Sequence, residues 1–201
     1  MSYHEGVPES ARLLTIGHSN HSMEKLLELL ALYSVQVVAD VRSSPYSKYA
    51  TQFDREALSE ALRAAGFRYV YLGGELGGRP RGDHYYDAAG HVLYDRVVES
   101  PGFQAGVARL EEGLRQYVVA TLCAEEDPAG CHRRLLVGRV LGERGVAVEH
   151  IRGDGRLQSE AELCAAEPHD GQLSLFEEIE APWKSVPLVS PKKRQSSSSR
   201  F

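Results

Sequence analysis

Short β-branched runs alternate along the chain with segments whose apolar residues recur every third or fourth position, the signature of strands and amphipathic helices taking turns. The first run, residues 12–16, closes on Gly17-His18-Ser19-Asn20. Ser22 then reads as the cap of a helix reaching Tyr33, with Leu26, Leu27, Leu29 and Leu30 on one stripe. Residues 35–41 are almost continuously apolar, as a central strand buried on both faces must be. Asp54 and Gly66 bracket a helix over 54–65, and residues 67–72 form a third strand. Helices are predicted around 91–99, 102–116 and 130–144, with strands at 117–122 and 146–150. The alternation predicts an α/β fold: a single three-layer domain with a mostly parallel sheet of about five strands.

Length fits that picture, because 201 residues hold one domain and a tail at the usual 100 to 200 or so residues per domain. Residues 1–10 read as a flexible N-terminus and 11–166 as the domain. Residues 167–201 are punctuated by Pro168, Pro182, Pro187 and Pro191 and end in a basic, serine-rich stretch, the composition of a disordered C-terminal tail. From Glu177 onward five basic residues face three acidic ones, leaving 18 against 25 before it, so an acidic body carries a mildly basic tail. A net charge of -5 argues against binding nucleic acid through bulk positive charge. Three cysteines make no disulfide framework and suit a reducing compartment. With no signal-peptide pattern and no apolar run of about 18 residues, a cytoplasmic protein without membrane contact is expected.

In a parallel α/β sheet, ligands bind beyond the carboxyl ends of the strands. Those ends are unusually polar here: His18 and Ser19 follow the first strand, Asp40 and Arg42 the second, Glu75 the third, Cys123 and Glu125 the fourth, and His150 the fifth. Singly, each has a bland reading, such as an Asp40–Arg42 ion pair or a helix-capping His18. Together they point to one site. The densest stretch is Leu122-Cys123-Ala124-Glu125, followed by Cys131-His132-Arg133. A thiol entering a helix beside cations favours the thiolate, so Cys131 or Cys123 is a candidate nucleophile or ligand. Glu125 is then a candidate acid or base, His18, Asp40 and His132 orienting or proton-transfer groups, and Arg133 an anion contact.

Alternatives remain open at this point. No metal or other cofactor is predicted; if one is present, it is zinc on Cys123, Cys131 and His132, although the seven-residue gap between the cysteines is not a usual structural zinc spacing. A reversible disulfide and two buried thiols are the other readings. Cys164, without polar company, is assigned to packing. Two loops add substrate-handling character: Arg42, Tyr46 and Lys48 interleave cations with an aromatic ring, and Arg79 and Arg81 sit in a glycine-rich loop after Glu75.

The series Thr15-Ile16-Gly17-His18-Ser19, Asp40-Val41-Arg42 with Pro45, Gly74-Glu75-Leu76-Gly77-Gly78, and Cys123-Ala124-Glu125 with Cys131-His132-Arg133 resembles the prokaryotic domain-of-unknown-function 488 family. The resemblance implies an α/β domain with a shared site and leaves the reaction open. In the tail, Gln172-Leu173-Ser174-Leu175-Phe176 is similar to the peptides that dock bacterial proteins on the DNA sliding clamp, with Leu173, Leu175 and Phe176 as apolar anchors and Gln172 as an amide handle. The expectation is an enzyme of DNA maintenance or repair, a hydrolase or group transferase acting on DNA or a nucleotide and recruited by the clamp. A non-catalytic adaptor tethered to the clamp, and a thiol redox or metal-binding protein, are the competing expectations.

Overall fold

The computed structural model describes residues 11–166 and 183–189. Strands β1 (Arg12–Gly17), β2 (Val37–Asp40), β3 (Arg68–Tyr71), β4 (Val119–Cys123) and β5 (Ala147–Ile151) run parallel, in the spatial order β3-β2-β4-β1-β5. A sixth strand, β6 (Leu157–Ser159), extends the edge antiparallel to β5. Strand β6 is absent from the sequence reading. Its signal was Asp154-Gly155, with Gly155 at φ +89° closing the turn and Arg152 N–H bonded to the Arg156 carbonyl at 2.9 Å.

Helices α1 (Met23–Leu32), α2 (Arg55–Ala64), α3 (Tyr94–Val98), α4 (Pro101–Leu114), α5 (Arg139–Glu143) and α6 (Glu160–Ala166) fill the connections. Because alternate strand residues point to opposite faces, Leu14, Ile16 and Leu122 pack against α1 and α2 through Leu26, Leu30 and Leu58. On the other face, Leu13, Ala39 and Val119 meet α4 and α5 through Phe103, Val107 and Leu141. Each fully buried Leu contributes about 1.5–3 kcal/mol. Three layers result, as predicted.

Local chemistry sets the helix starts. Ser22 accepts from Lys25 N–H at 3.2 Å, and Ser100 accepts from Phe103 N–H at 3.2 Å with Pro101 just inside the helix. Asp54 precedes α2 as expected, yet its carboxylate accepts from Ser47 N–H at 2.9 Å instead of capping the helix, pinning the loop after β2. The helix expected over 91–99 shrinks to α3, because Val92 and Leu93 enter β-bridges with Tyr86 and Lys184. The helix expected over 130–144 is split into a π-helical stretch, Arg133–Gly138, and α5.

Residues 183–189 lie inside the stretch assigned to a flexible tail, and they pack on the domain. Trp183 stacks edge-on against Tyr94 at 5.8 Å, donates its indole N–H to the Leu135 carbonyl at 2.8 Å and lies under the Arg139 guanidinium. Its carbonyl accepts from Tyr94 N–H, while Ser185 and Val189 bond to Val92 and Gly90. A large indole recovers more apolar burial than the surrounding prolines and serines resist, which composition averaged over the tail conceals. Among the described residues, no helix is long and apolar enough to cross a membrane.

Candidate functional site

Strands β1 and β4 are neighbours, but the helix leaving β1 covers one face of the sheet and the helix leaving β4 covers the other. Their carboxyl ends therefore open a crevice, the usual ligand position in such sheets. Gly17 permits the close approach there: a Cβ would overlap the Glu125 carbonyl. Beyond the strands, His18 N–H donates to the Cys123 carbonyl at 3.0 Å and Ser19 N–H to the Ala124 carbonyl at 2.9 Å.

The crevice holds a cavity of about 440 Å³, well within the size range of small-molecule sites. Cys123, His132, Glu125 and Tyr94 are among the residues that line it. Ser43, Ser44, Tyr46, Ser47 and Arg79 supply hydroxyls and a cation on one side, and Pro187, Leu188 and Val189 supply an apolar wall. The wall comes from a segment that sequence reasoning placed in the tail; the lone tryptophan was the signal that could have found it.

On the cavity floor, His132 Nε2–H donates to the Val41 carbonyl at 3.0 Å, which turns Nδ1 toward two sulfurs: Cys123 Sγ at 3.7 Å and Cys131 Sγ at 3.9 Å. The ring is fixed from behind as well, since a Cβ on Gly78 would strike it at 2.7 Å. Cys123 is held well below the ordinary thiol range by the hydrogen bond from Cys131 and then by His132 and Arg133 acting against burial. Cys131, the donor in that bond and fully buried, is pushed well above it. Burial opposes protonation of His132, but the Cys123 charge and the Val41 bond raise its pKa. Of the two candidate thiols, Cys123 is the one whose surroundings favour the thiolate, and it is the cysteine that lines the cavity.

Asp40 and Arg42 form a buried ion pair at the cavity, which Arg42 lines. Asp40 is completely buried and takes Arg42 Nε at 2.8 Å, Arg42 Nη2 at 2.6 Å and the Tyr69 hydroxyl at 2.8 Å. Arg42 Nη1 donates to the Phe53 carbonyl at 2.9 Å and to His18 Nε2 at 3.1 Å. With Nε2 accepting, His18 carries its proton on Nδ1 and donates to the Ser19 carbonyl at 2.8 Å, while its ring stacks on Phe53 at 4.3 Å. Burial lowers the His18 pKa, and Arg42 adds to the shift. Both ring nitrogens are engaged, and His18 lines the cavity. The ion pair expected between Asp40 and Arg42 is present.

Arg133 is likewise no substrate clamp. Fully buried, it donates to the carbonyls of Glu125 and Glu126 and to the Thr15 hydroxyl at 3.2 Å, tying the loop after β4 back to β1. The Thr15 hydroxyl continues to His150 Nδ1 at 2.7 Å, and His150 Nε2 to Glu160 at 3.1 Å. His150 is therefore a buried structural group rather than a rim residue. Ser19, Lys48, Glu75 and Arg81 are not cavity-lining; Glu75 pairs with Arg109 and the Ser19 hydroxyl bonds to Asn20. Cys164, assigned to packing, is exposed and bonds to Glu160 and Arg134. Of the predicted contacts, Arg42, Tyr46 and Arg79 do line the cavity, with the Tyr46 hydroxyl donating to Glu56 at 3.0 Å. The Glu125 carboxylate is exposed, lies close enough to raise the pKa of Tyr94 and of His132, and has no side-chain partner among the described residues. Gln172, Leu173, Leu175 and Phe176 lie outside the described residues.

Comparison with curated proteins and with solved structures gives no match. A family model described as "Domain of unknown function DUF488" matches residues 22–140, a span that takes in β2, the Gly73–Gly78 loop and both site cysteines. That span is more than half of the chain, so the protein belongs to the DUF488 family.

Proposed function

We propose that the protein is a DNA-maintenance enzyme, a hydrolase or group transferase that acts on a nucleotide or DNA end in this cavity and is carried to its substrate by sliding-clamp binding through residues 172–176. One observation carries the reading: a buried thiolate, a histidine oriented by a backbone carbonyl and an unpartnered carboxylate meet in one cavity at the switch point of the sheet. The divided lining favours a nucleotide. The wall of Pro187, Leu188 and Val189 suits the face of a base, while Arg79 and the serines after Arg42 suit phosphate oxygens. An acidic body then needs no bulk basic surface, because tethering raises the local concentration of substrate.

Glu125 is the proton-transfer group in this reading and Cys123 the centre around which the chemistry is built. The test is turnover of nucleoside triphosphates and short single- and double-stranded oligonucleotides by the purified full chain. Cys123→Ala and Glu125→Gln abolish turnover in this reading, whereas Phe176→Ala leaves it intact and removes binding to purified clamp. Substrate binding without turnover, unaffected by Glu125→Gln, identifies an adaptor instead.

A further inference from the structure

The cavity floor holds one donor more than a nucleophilic dyad uses. A thiol–imidazole pair needs one sulfur facing one ring nitrogen, yet His132 Nδ1 faces two, and the three donor atoms lie within 4.8 Å of one another. We infer that Cys123, Cys131 and His132 bind a zinc ion whose fourth coordination position opens into the cavity and holds water, an inference that rests on reading the cavity as the active site.

The distances fit. Zinc–sulfur bonds of about 2.3 Å and zinc–nitrogen bonds of about 2.0–2.1 Å, set at tetrahedral angles, give a sulfur–nitrogen edge of roughly 3.6 Å. The two edges here are 3.7 and 3.9 Å. The sulfur–sulfur edge lies within 4.8 Å, against roughly 3.8 Å in a tetrahedral site, so closing the site asks the two sulfurs to approach by up to about 1 Å. The imidazole is prepared in the way ligand histidines are: the bond from Nε2–H to the Val41 carbonyl fixes the tautomer and leaves the Nδ1 lone pair free for the metal. Thiolate and imidazole donors select zinc over magnesium or calcium. Two thiolates also balance the dication, so the buried site gains no net charge.

The donors lie on different sides of the metal position. Cys131 is fully buried and does not line the cavity, whereas Cys123 and His132 do, which leaves the open vertex on the cavity side with Glu125. Three protein ligands and one open position define a catalytic rather than a structural zinc site. The seven-residue gap, unlike that of a zinc knuckle, is the span of the loop between β4 and the next helical stretch, so the strand end and the loop's last turn before the helical stretch each bring a sulfur. In the reaction, zinc lowers the pKa of the bound water and Glu125 takes its proton. The hydroxide attacks carbon or phosphorus of the substrate, the bond to the leaving group breaks, and Glu125 returns the proton to that group. One water is consumed, and Cys123 serves as a ligand throughout.

The test reads metal directly, apart from activity. Full-length protein purified without chelator carries close to one zinc per chain by elemental analysis. Cobalt(II) added to chelator-treated protein produces thiolate charge-transfer absorption and the intense visible bands of a tetrahedral site. Cys131→Ser, which alters no cavity-lining residue, lowers zinc affinity at least tenfold, with circular dichroism confirming its fold. Metal-free protein that gives no tetrahedral cobalt spectrum, while iodoacetamide alkylates Cys123 and stops turnover, overturns the zinc site and leaves the enzyme standing. Full zinc occupancy without turnover of any nucleotide or oligonucleotide sustains the zinc site and overturns the enzymatic reading instead.

Discussion

Replacing Asp40 with alanine strands a guanidinium in the protein interior. Asp40 is 0% exposed and Arg42 6%, and the carboxylate provides both side-chain acceptors for Nε and Nη2. Removing one partner of a buried pair costs about 3–5 kcal/mol, because the remaining charge keeps its desolvation penalty. The Tyr69 hydroxyl loses its acceptor as well, a further cost of about 1 kcal/mol or more. The total of about 4–6 kcal/mol is a large share of the about 5–15 kcal/mol that holds a domain of this kind together, and at a urea dependence of about 1–3 kcal/mol per molar the unfolding midpoint falls by roughly 1–6 M. The assay is urea unfolding followed by far-ultraviolet circular dichroism for wild type, Asp40→Ala, and Asp40→Ala combined with Arg42→Met. The double variant, which buries no charge, recovers part of the loss, the Phe53 carbonyl, His18 Nε2 and the Tyr69 hydroxyl remaining without these partners. A single variant costing under about 1 kcal/mol, or a double variant as unstable as the single, would refute the structural role assigned to the pair and restore Asp40 as a candidate proton-transfer group.

Gly78→Ala pushes a methyl into the His132 ring and tilts Nδ1 away from the sulfurs, so cobalt binding and turnover fall at least tenfold while the urea midpoint moves little; unchanged cobalt binding contradicts the geometry. Trp183 is the sole tryptophan, so its fluorescence reports the segment that walls the cavity. Held mainly by hydrogen bonds to 90–94 and Leu135, that segment releases at lower urea than the sheet, and fluorescence and circular dichroism transitions that coincide count against a separately held wall. Acid weakens the fold through its buried imidazoles. Burial lowers the pKa of His18 and of His150 in the folded chain, so the unfolded chain binds more protons as pH falls below about 6.5. Their contribution is complete above that value and is lost toward lower pH, whereas His132, whose pKa is raised, acts the other way; in a His132→Asn background the urea midpoint therefore drops between pH 7.5 and 5.5, and a flat midpoint there shows that these two rings are not buried neutral.

The layered fold was legible because strands buried on both faces must be nearly all apolar, as residues 37–41 are, and helices covering them must carry one apolar stripe, as Leu26, Leu29 and Leu30 do. The site was legible to the extent that strand ends are where polar residues converge: His18, Cys123 and Glu125 were found that way, and all three line the cavity. Roles were less legible, because a residue type does not state its burial. Arg133 reads as an anion contact from sequence, yet the structure spends its donors on the Glu125 and Glu126 carbonyls, whereas Arg42, paired with Asp40, still lines the cavity.

Periodicity and composition by themselves determined the α/β class, the parallel sheet and the crowded rim, since these follow from which residues must avoid water and which must reach it. Which thiol carries charge, which arginines are spent on the backbone, and that residues 183–189 wall the cavity were decided only by tertiary structure. The reason is physical: electrostatic and hydrogen-bond energies depend on distance and desolvation, and residues far apart in the chain acquire both only when the sheet brings their strand ends together.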